Sequence, residues 1–300
     1  MRLDKTQLEC CRRAAIAAVR TAGAYVATAR PLSITRKSAD TGGGESEASR
    51  ILTEVDRRSQ SLILEALEHV SASFELGVLS EELEDDGGRH TASHFWCIDP
   101  LDGTLPFVEA VPGYAVSVAL VRRDGTPVVG AVFDPCTGRL FDAAGGCGAR
   151  LDGESWTAPR RADDGRFHLF CDRSFAQGPL FDATVAALRR VATASGCDDV
   201  CIHHGAGAVM NACEALLHAP ACYLKFPKPT RGGGSVWDFA ATACLAVELG
   251  GAASNIKGDV LALNPGGSTF MNEHGVLFAT DSGLALRVRE ATALLEGLRG

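Results

Sequence analysis

No apolar run in this chain approaches the ~18 residues that a membrane helix needs. Residues 1–13, MRLDKTQLECCRR, are charged and helical in pattern and lack the apolar core of a secretory signal. These absences predict a cytoplasmic protein with no membrane partner. A basic tract is missing too: the net charge is −8, from 29 Lys and Arg against 37 Asp and Glu. Nothing in that balance would track a nucleic-acid backbone, so no nucleic acid polymer is expected as a partner. There is no CxxC. The eleven cysteines are odd in number and scattered, and Cys197 and Cys201 have no matching pair of ligands nearby in sequence. They read as reduced core thiols and argue against a zinc centre. No GxSxG nucleophile elbow occurs, and Gly205-Ala206-Gly207-Ala208-Val209 falls short of a dinucleotide fingerprint.

What is present is a globular composition, 46% apolar and 22% charged over 300 residues. That length suits one large domain or two halves with a shared core. Apolar periodicity predicts helices over 4–29, with Leu8, Cys11, Ala15, Ala18, Val19 and Ala22 on one face, and over about 52–70. Between them, residues 33–47 are polar and Gly-rich, with Arg36 and Lys37 in reach of an anion; they read as a mobile loop that closes over a ligand. FELGVLSEE and FWCIDPLDGT each read as a short strand ending in a carboxylate-rich turn. Residues 114–151 alternate strands and turns, an antiparallel meander. From about 166 strands and helices alternate: FHLFC, 180–195, DVCIH, 207–218, ACYLKF, 237–249, GVLFAT and 284–298. The chain is therefore expected to be α/β, with a boundary near 160: an N-terminal α+β half, 1–160, and a C-terminal α/β half, 161–300.

Carboxylates concentrate where these elements end. Ser80-Glu81-Glu82, Asp99-Pro100-Leu101-Asp102-Gly103-Thr104 and Trp237-Asp238 are three such stretches, and Thr53-Glu54-Val55-Asp56 is expected to open the second helix. Pro100 stiffens the turn after Asp99, and Gly103 permits a tight reversal close to a ligand. Carboxylates packed together repel unless a cation neutralises them. Oxygen ligands without His or Cys suit Mg²⁺ or Mn²⁺, and an acidic protein that handles an anion needs such local positive charge. Each stretch alone also has a plain reading: Asp-Pro and Asp-Gly as ordinary turns, Glu81-Glu82 as solvated surface, Asp238 as a helix cap. Their occurrence together and in order carries the argument.

LTEVD (52–56), SEE (80–82), WCIDPLDGT (96–104) and WDFAATACLAVELGG (237–251) resemble, in order and across nearly the whole chain, the signatures of the inositol monophosphatase superfamily. That superfamily also holds the 3'(2'),5'-bisphosphate nucleotidases and the fructose-1,6-bisphosphatases. The resemblance implies a layered α/β sandwich of the sugar-phosphatase type and a metal-dependent phosphatase with two or three Mg²⁺ per site, Mn²⁺ being compatible. It implies that Glu81, Asp99, Asp102 and Asp238 bind metal with the Leu101 carbonyl. Asp56 and Thr104 would form a hydrogen-bonded pair that orients and deprotonates a metal-bound water, and Glu82 would support the metal ligands or a third ion. Amides near Gly103, Thr104 and Leu105 would hold the phosphate. The substrate would be a small phosphate ester; a homodimer is left open.

Ser80, Leu101 and the Tyr223–Pro227 segment are similar to the bisphosphate nucleotidases, whereas inositol monophosphatases typically read GEE and DPIDGTTNF. Leu105-Pro106-Phe107 departs from both, and residues 227–236 form an insertion relative to the inositol enzymes. A second phosphate needs a cation of its own, and Lys225, Lys228 and Arg231 cluster just before Asp238; Lys225 also reads as a plain edge-strand charge. His203 and His204 either line a base or sugar pocket or end a strand running into a helix cap. A nucleoside bisphosphate is thus expected ahead of an inositol phosphate, with a non-catalytic binding protein of the same fold as the reading of another class.

Overall fold

A computed structural model of the chain describes residues 3–29, 47–157 and 164–296. Residues 33–46 of the expected loop, with Arg36, Lys37 and Gly42–44, lie outside the described residues. Helix α1 (Lys5–Thr28) starts at a capping box in which Asp4 and Gln7 satisfy each other's amides, and it buries the predicted stripe from Leu8 to Ala22. Helix α2 (Glu47–Phe74) begins earlier and ends later than expected. Residues 53–56 therefore do not open it but lie inside it, because nothing in the preceding EASRI breaks a helix. Val55, Ser59, Ile63, Leu67 and Val70 form its buried seam.

Next come β1 (Gly77–Ser80), a short α3 (Gly88–Thr91), β2 (His94–Asp102), α4 (Thr104–Val108), β3 (Ala115–Arg122), β4 (Pro127–Phe133), β5 (Leu140–Ala144), β6 (Ala149–Leu151) and β7 (Glu154–Trp156). Among the described residues these strands form one sheet in sequence order. β1 pairs parallel with β2, and the antiparallel meander follows as expected. All of β2 is buried, because α1 and α2 cover one face of the sheet and a later helix the other. Trp96 on β2 is fully buried and its indole N–H donates to Ser71 Oγ at 2.9 Å, so the largest core side chain leaves no polar atom stranded.

The rest of the chain runs β8 (Phe167–Cys171), α5 (Arg173–Ala176), α6 (Phe181–Ala194), β9 (Val200–His204), α7 (Ala208–Leu217), β10 (Ala221–Lys225), α8 (Val236–Glu248), β11 (Ala252–Ser254), β12 (Val276–Ala279) and α9 (Ser282–Glu296). Its strands form a second sheet in the order β11-β12-β10-β8-β9. β10 lies in the middle, so Lys225 at its end is not the edge-strand charge that sequence allowed. Helices α7 and α8 fill the space between the sheets, and α6 and α9 cover the outer face of the second. The molecule is thus a layered α/β sandwich: α1/α2, first sheet, α7/α8, second sheet, α6/α9. The ends of β1, β2 and β10 and the starts of α7 and α8 converge on one cleft.

Candidate metal and active site

A bulge brings the two aspartates of DPLDGT together. Asp99 pairs with Ser117 and Asp102 with Ala115, so three steps on β2 oppose two on β3. In a regular strand residues three apart face opposite sides; the extra residue turns Asp102 back to the side of Asp99. The Leu101 amide donates to Asp99 Oδ1 at 3.1 Å, and Ser59 Oγ on α2 donates to the Pro100 carbonyl at 2.7 Å. Gly103 then takes φ +80°, and a Cβ there would lie 2.6 Å from the Gly113 carbonyl oxygen, so only glycine fits. Asp238 enters from α8, where it closes a capping box with Ser235; capping and membership of the cluster prove compatible. Carboxylate oxygens of Asp99, Asp102 and Asp238 lie within 4.8 Å of one another.

Glu81 follows β1, its amide held by the Ile98 carbonyl at 3.2 Å, and its side chain hydrogen-bonds Asp99. Burial first, then Glu81 and the other two aspartates, push the Asp99 carboxyl well above the usual range. Burial, then the Asp238 charge, does the same to Asp102, which shares a hydrogen bond with Asp238. Burial also raises Asp238, against a lowering pull from Lys225. Glu81 is reached by solvent from the cleft yet crowded by protein, and is pushed up to about 7, by desolvation ahead of Asp238. Asp56, half-buried on α2, is pushed up to about 7 by desolvation, then by Glu82 and Glu81. Burial, and then the repulsion of neighbouring carboxylates, thus outweighs the positive charge that the described residues bring to this cluster.

Asp102 has an anchor that sequence reasoning missed. Its two oxygens accept from the amides of Ala208 and Val209, at 3.1 and 3.0 Å, which open α7 where the helix dipole favours an anion. A Cβ on Gly207 would meet Asp102 Oδ2 at 2.2 Å. The glycine of the discarded dinucleotide pattern is thus required by this close approach; no sequence signal links it to position 102.

The other expected site residues are partly assembled. Thr104 and Leu105 open α4 and are exposed, and the expected hydrogen bond between Asp56 and Thr104 is not made: Asp56 faces Glu81 and Glu82 instead. Among the described residues Lys225 faces the acids, lowering both Asp102 and Asp238. Its Nζ also pairs with Asp172 at 2.9 Å and sits 5.4 Å from the Phe239 ring centre. Asp172 was not singled out from sequence; it holds the Tyr223 hydroxyl as well, at 3.0 Å. Lys225, Asp172, Phe175, Phe226, Lys228 and Asn272 line a cavity of about 730 Å³. Arg231 is exposed and is not among the lining residues. His203 and His204 line a second cavity, of about 510 Å³, with Arg139, Arg173 and Glu214; they also end β9, the strand end that the plain reading expected.

The profile of the inositol monophosphatase family matches residues 7–294. An inositol-1-monophosphatase of Rhizobium meliloti is 40% identical over 101 residues, 34% of this chain and 36% of that protein; the alignment spans about a third of that relative's length. The Nus factor SuhB of Escherichia coli K12 is 28% identical over 231 residues, 71% of this chain and 78% of that one. Among solved structures, CysQ of Bacteroides thetaiotaomicron, described as a bacterial member of the family, aligns with TM-score 0.71 at 23% identity over 91% of this chain and 98% of its own. An inositol monophosphatase of Zymomonas mobilis aligns with TM-score 0.70 at 20% identity over 95% and 98%. Likeness at this identity speaks to the fold.

Proposed function

The chain belongs to the inositol monophosphatase family, and from that premise we propose that it is a magnesium-dependent phosphomonoesterase acting on a small soluble phosphate ester. The observation that carries the reading is the convergence of Asp99, Asp102 and Asp238 within 4.8 Å of one another, with Glu81 hydrogen-bonded to Asp99. The donors are all oxygens, with no imidazole or thiolate among them, which fits Mg²⁺ or Mn²⁺. Two or three such ions, when bound, supply Lewis acidity toward the phosphoryl oxygens and neutralise charge on the leaving oxygen.

The chain's own groups then divide the work. Glu81, Asp99, Asp102, Asp238 and the Leu101 carbonyl hold the ions. Asp56, whose carboxyl is poised near neutrality, takes the proton of the attacking water. Thr104 and Glu82 orient that water, Thr104 by closing on Asp56 when substrate arrives. Water oxygen bonds to phosphorus, the ester P–O bond breaks, and the leaving oxygen takes a proton from solvent to depart as the alcohol. The amides of Gly103 and Leu105 hold the phosphate. Residues 1–160 and 161–300 act as two halves, the second donating Asp238. We place the enzyme in the cytoplasm, with a homodimer open.

Within this reading a nucleoside 3'(2'),5'-bisphosphate is preferred over inositol phosphate. Lys228 beside a cavity of about 730 Å³ supports it, since a second phosphate needs a cation and the apolar Phe175 and Phe226 offer faces for a base. Lys225 is partly neutralised by Asp172 and Arg231 stands apart, so Lys228 carries most of this contribution. The test is release of inorganic phosphate from adenosine 3',5'-bisphosphate, inositol 1-phosphate and fructose 1,6-bisphosphate, with and without Mg²⁺. Turnover independent of Mg²⁺ removes the metal reading; higher kcat/KM for inositol 1-phosphate removes the nucleotide preference. A second, non-catalytic reading is favoured by relatives named Nus factor that align over 69–71% of the chain. Ligand binding without phosphate release from any of the three esters would select it.

A further inference from the structure

A second group of ligating side chains stands apart from the carboxylates. On paper Cys201 had no partners. In the fold, adjacent strands supply them: β8 and β9 run parallel, with His168 in register with Cys201 and Phe170 with His203. Residues two apart share a face of a strand, so His168, Cys201 and His203 point to the same side, and their ligand atoms lie within 4.8 Å of one another. β9 is the last strand of its sheet.

We propose that His168, Cys201 and His203 form a second metal site, for a zinc-class ion. Three features support it. His168 Nδ1 and His203 Nε2 are 3.0 Å apart. Two nitrogens on one tetrahedral zinc, each ~2.0–2.1 Å from it, lie about 3.3 Å from each other, so little movement admits the ion. The other nitrogen of His168 faces the Asp164 carboxylate at 3.3 Å, the outer partner that fixes the ring of a ligating histidine and strengthens it as a donor. The frame is stiff: the His203 ring stacks on Phe170 with centroids 4.4 Å apart, and His168 is buried. Ligands on paired strands hold their spacing better than ligands on loops.

Donor chemistry separates this site from the first. Two imidazoles and a thiolate select zinc, or cobalt as its spectroscopic substitute, and reject Mg²⁺, whereas the carboxylates prefer Mg²⁺. Three protein ligands leave a fourth position for water or an anion. His203 lines the cavity of about 510 Å³ that also holds Arg139 and Arg173, so an anion could reach that position.

The experiment titrates the full, metal-free chain with Co²⁺ in millimolar Mg²⁺, which occupies the carboxylate site. One equivalent of Co²⁺ should give a thiolate charge-transfer band that one equivalent of Zn²⁺ removes. Cys201→Ser should abolish the band, and His203→Gln should weaken binding by at least ~10-fold. Substituting the exposed Cys10, Cys136 or Cys147 should change nothing. Absence of the band, its survival in Cys201→Ser, or its loss to Mg²⁺ overturns the site and leaves the histidines as a simple hydrogen-bonded pair. Should Cys201→Ser fail to fold, alkylation of the unaltered chain read by mass spectrometry decides. Protection of Cys201 by Zn²⁺ supports the site, and equal labelling with and without Zn²⁺ overturns it.

Discussion

Two places bury carboxylates against the first sheet, and they differ in what neutralises them. Under α1, the guanidinium of Arg12 pairs with Asp142 on β5 and takes both oxygens of Glu9 at 2.8 Å. Arg12 first of all holds Glu9 down, to about 2. In the cleft, among the described residues, the Lys225 amine lowers Asp102 and Asp238, and Asp172 also claims it, while no cation is recorded against Asp99 or Glu81. There all four carboxyls rise; burial raises Asp142 as well, but under α1 the Arg12 guanidinium pulls against that rise from within the chain. A buried charge with its partner built into the chain contributes to the fold; a buried set without one marks a place that expects a cation from outside.

The largest break in this comparison should come from Asp99→Asn. Phosphate release should fall by more than the ~100-fold that losing an outer-shell partner costs, with the circular dichroism unchanged. In metal-free buffer the variant should unfold at a higher temperature than the parent, because a neutral amide avoids the cost of burying an ionisable group among other carboxylates. Near-parental turnover would remove Asp99 from the site.

Arg12→Met breaks the opposite member. It leaves Asp142 buried without its cation, and stability should drop by about 3 kcal/mol in urea unfolding. The same variant should leave the Mg²⁺ dependence of turnover where it was. A loss below ~1 kcal/mol would mean that the pair is neutral to folding.

The pH response separates the two regions further. Asp56 and Glu81 are both pushed up to about 7 in the folded chain, against ~4 when unfolded. Between those values the folded state binds more protons than the unfolded, so stability falls as pH rises from about 4 through about 7. The metal-free chain should therefore melt at a lower temperature at pH 8 than at pH 5.5, and Mg²⁺ should narrow the gap. A melting temperature indifferent to Mg²⁺ at pH 8 would contradict the cluster's role. Glu9 runs the other way: its stabilisation is present above about 4 and is lost as pH falls through about 2.

Least drastic is Lys228→Ala, which should raise KM for a nucleoside bisphosphate several-fold while leaving kcat and the KM of a simple monophosphate nearly unchanged. Arg231→Ala should do less, because Arg231 lies outside the cavity lining. Equal effects on both esters would sever Lys228 from a second phosphate.

Much of this was legible beforehand. The α1 stripe, the meander and the alternation after 166 follow from local periodicity, which burial alone enforces. Boundaries were less so: α2 begins at Glu47 because EASRI holds no helix breaker, whereas the apolar periodicity that marks a helix starts only near residue 52. The carboxylates of DPLDGT could be named, but not the bulge that turns Asp102 toward Asp99, since a bulge depends on the partner strand. Cys201 looked isolated because its neighbour His168 lies on another strand.

What the sequence by itself determined was the chemistry: oxygen-rich stretches at the ends of elements, in an order that resembles one superfamily, on a chain with periodicity enough for a layered sandwich. Only the tertiary structure decided which groups meet. The amides of Ala208 and Val209 reach Asp102, Asp172 draws off part of the charge of Lys225, and Arg231 is left outside the cavity that Lys228 enters. The reason is range. Propensity and periodicity act over a few residues along the chain, whereas repulsion between carboxylates, capping by a distant helix and ion pairing act through space, between residues that only packing brings together.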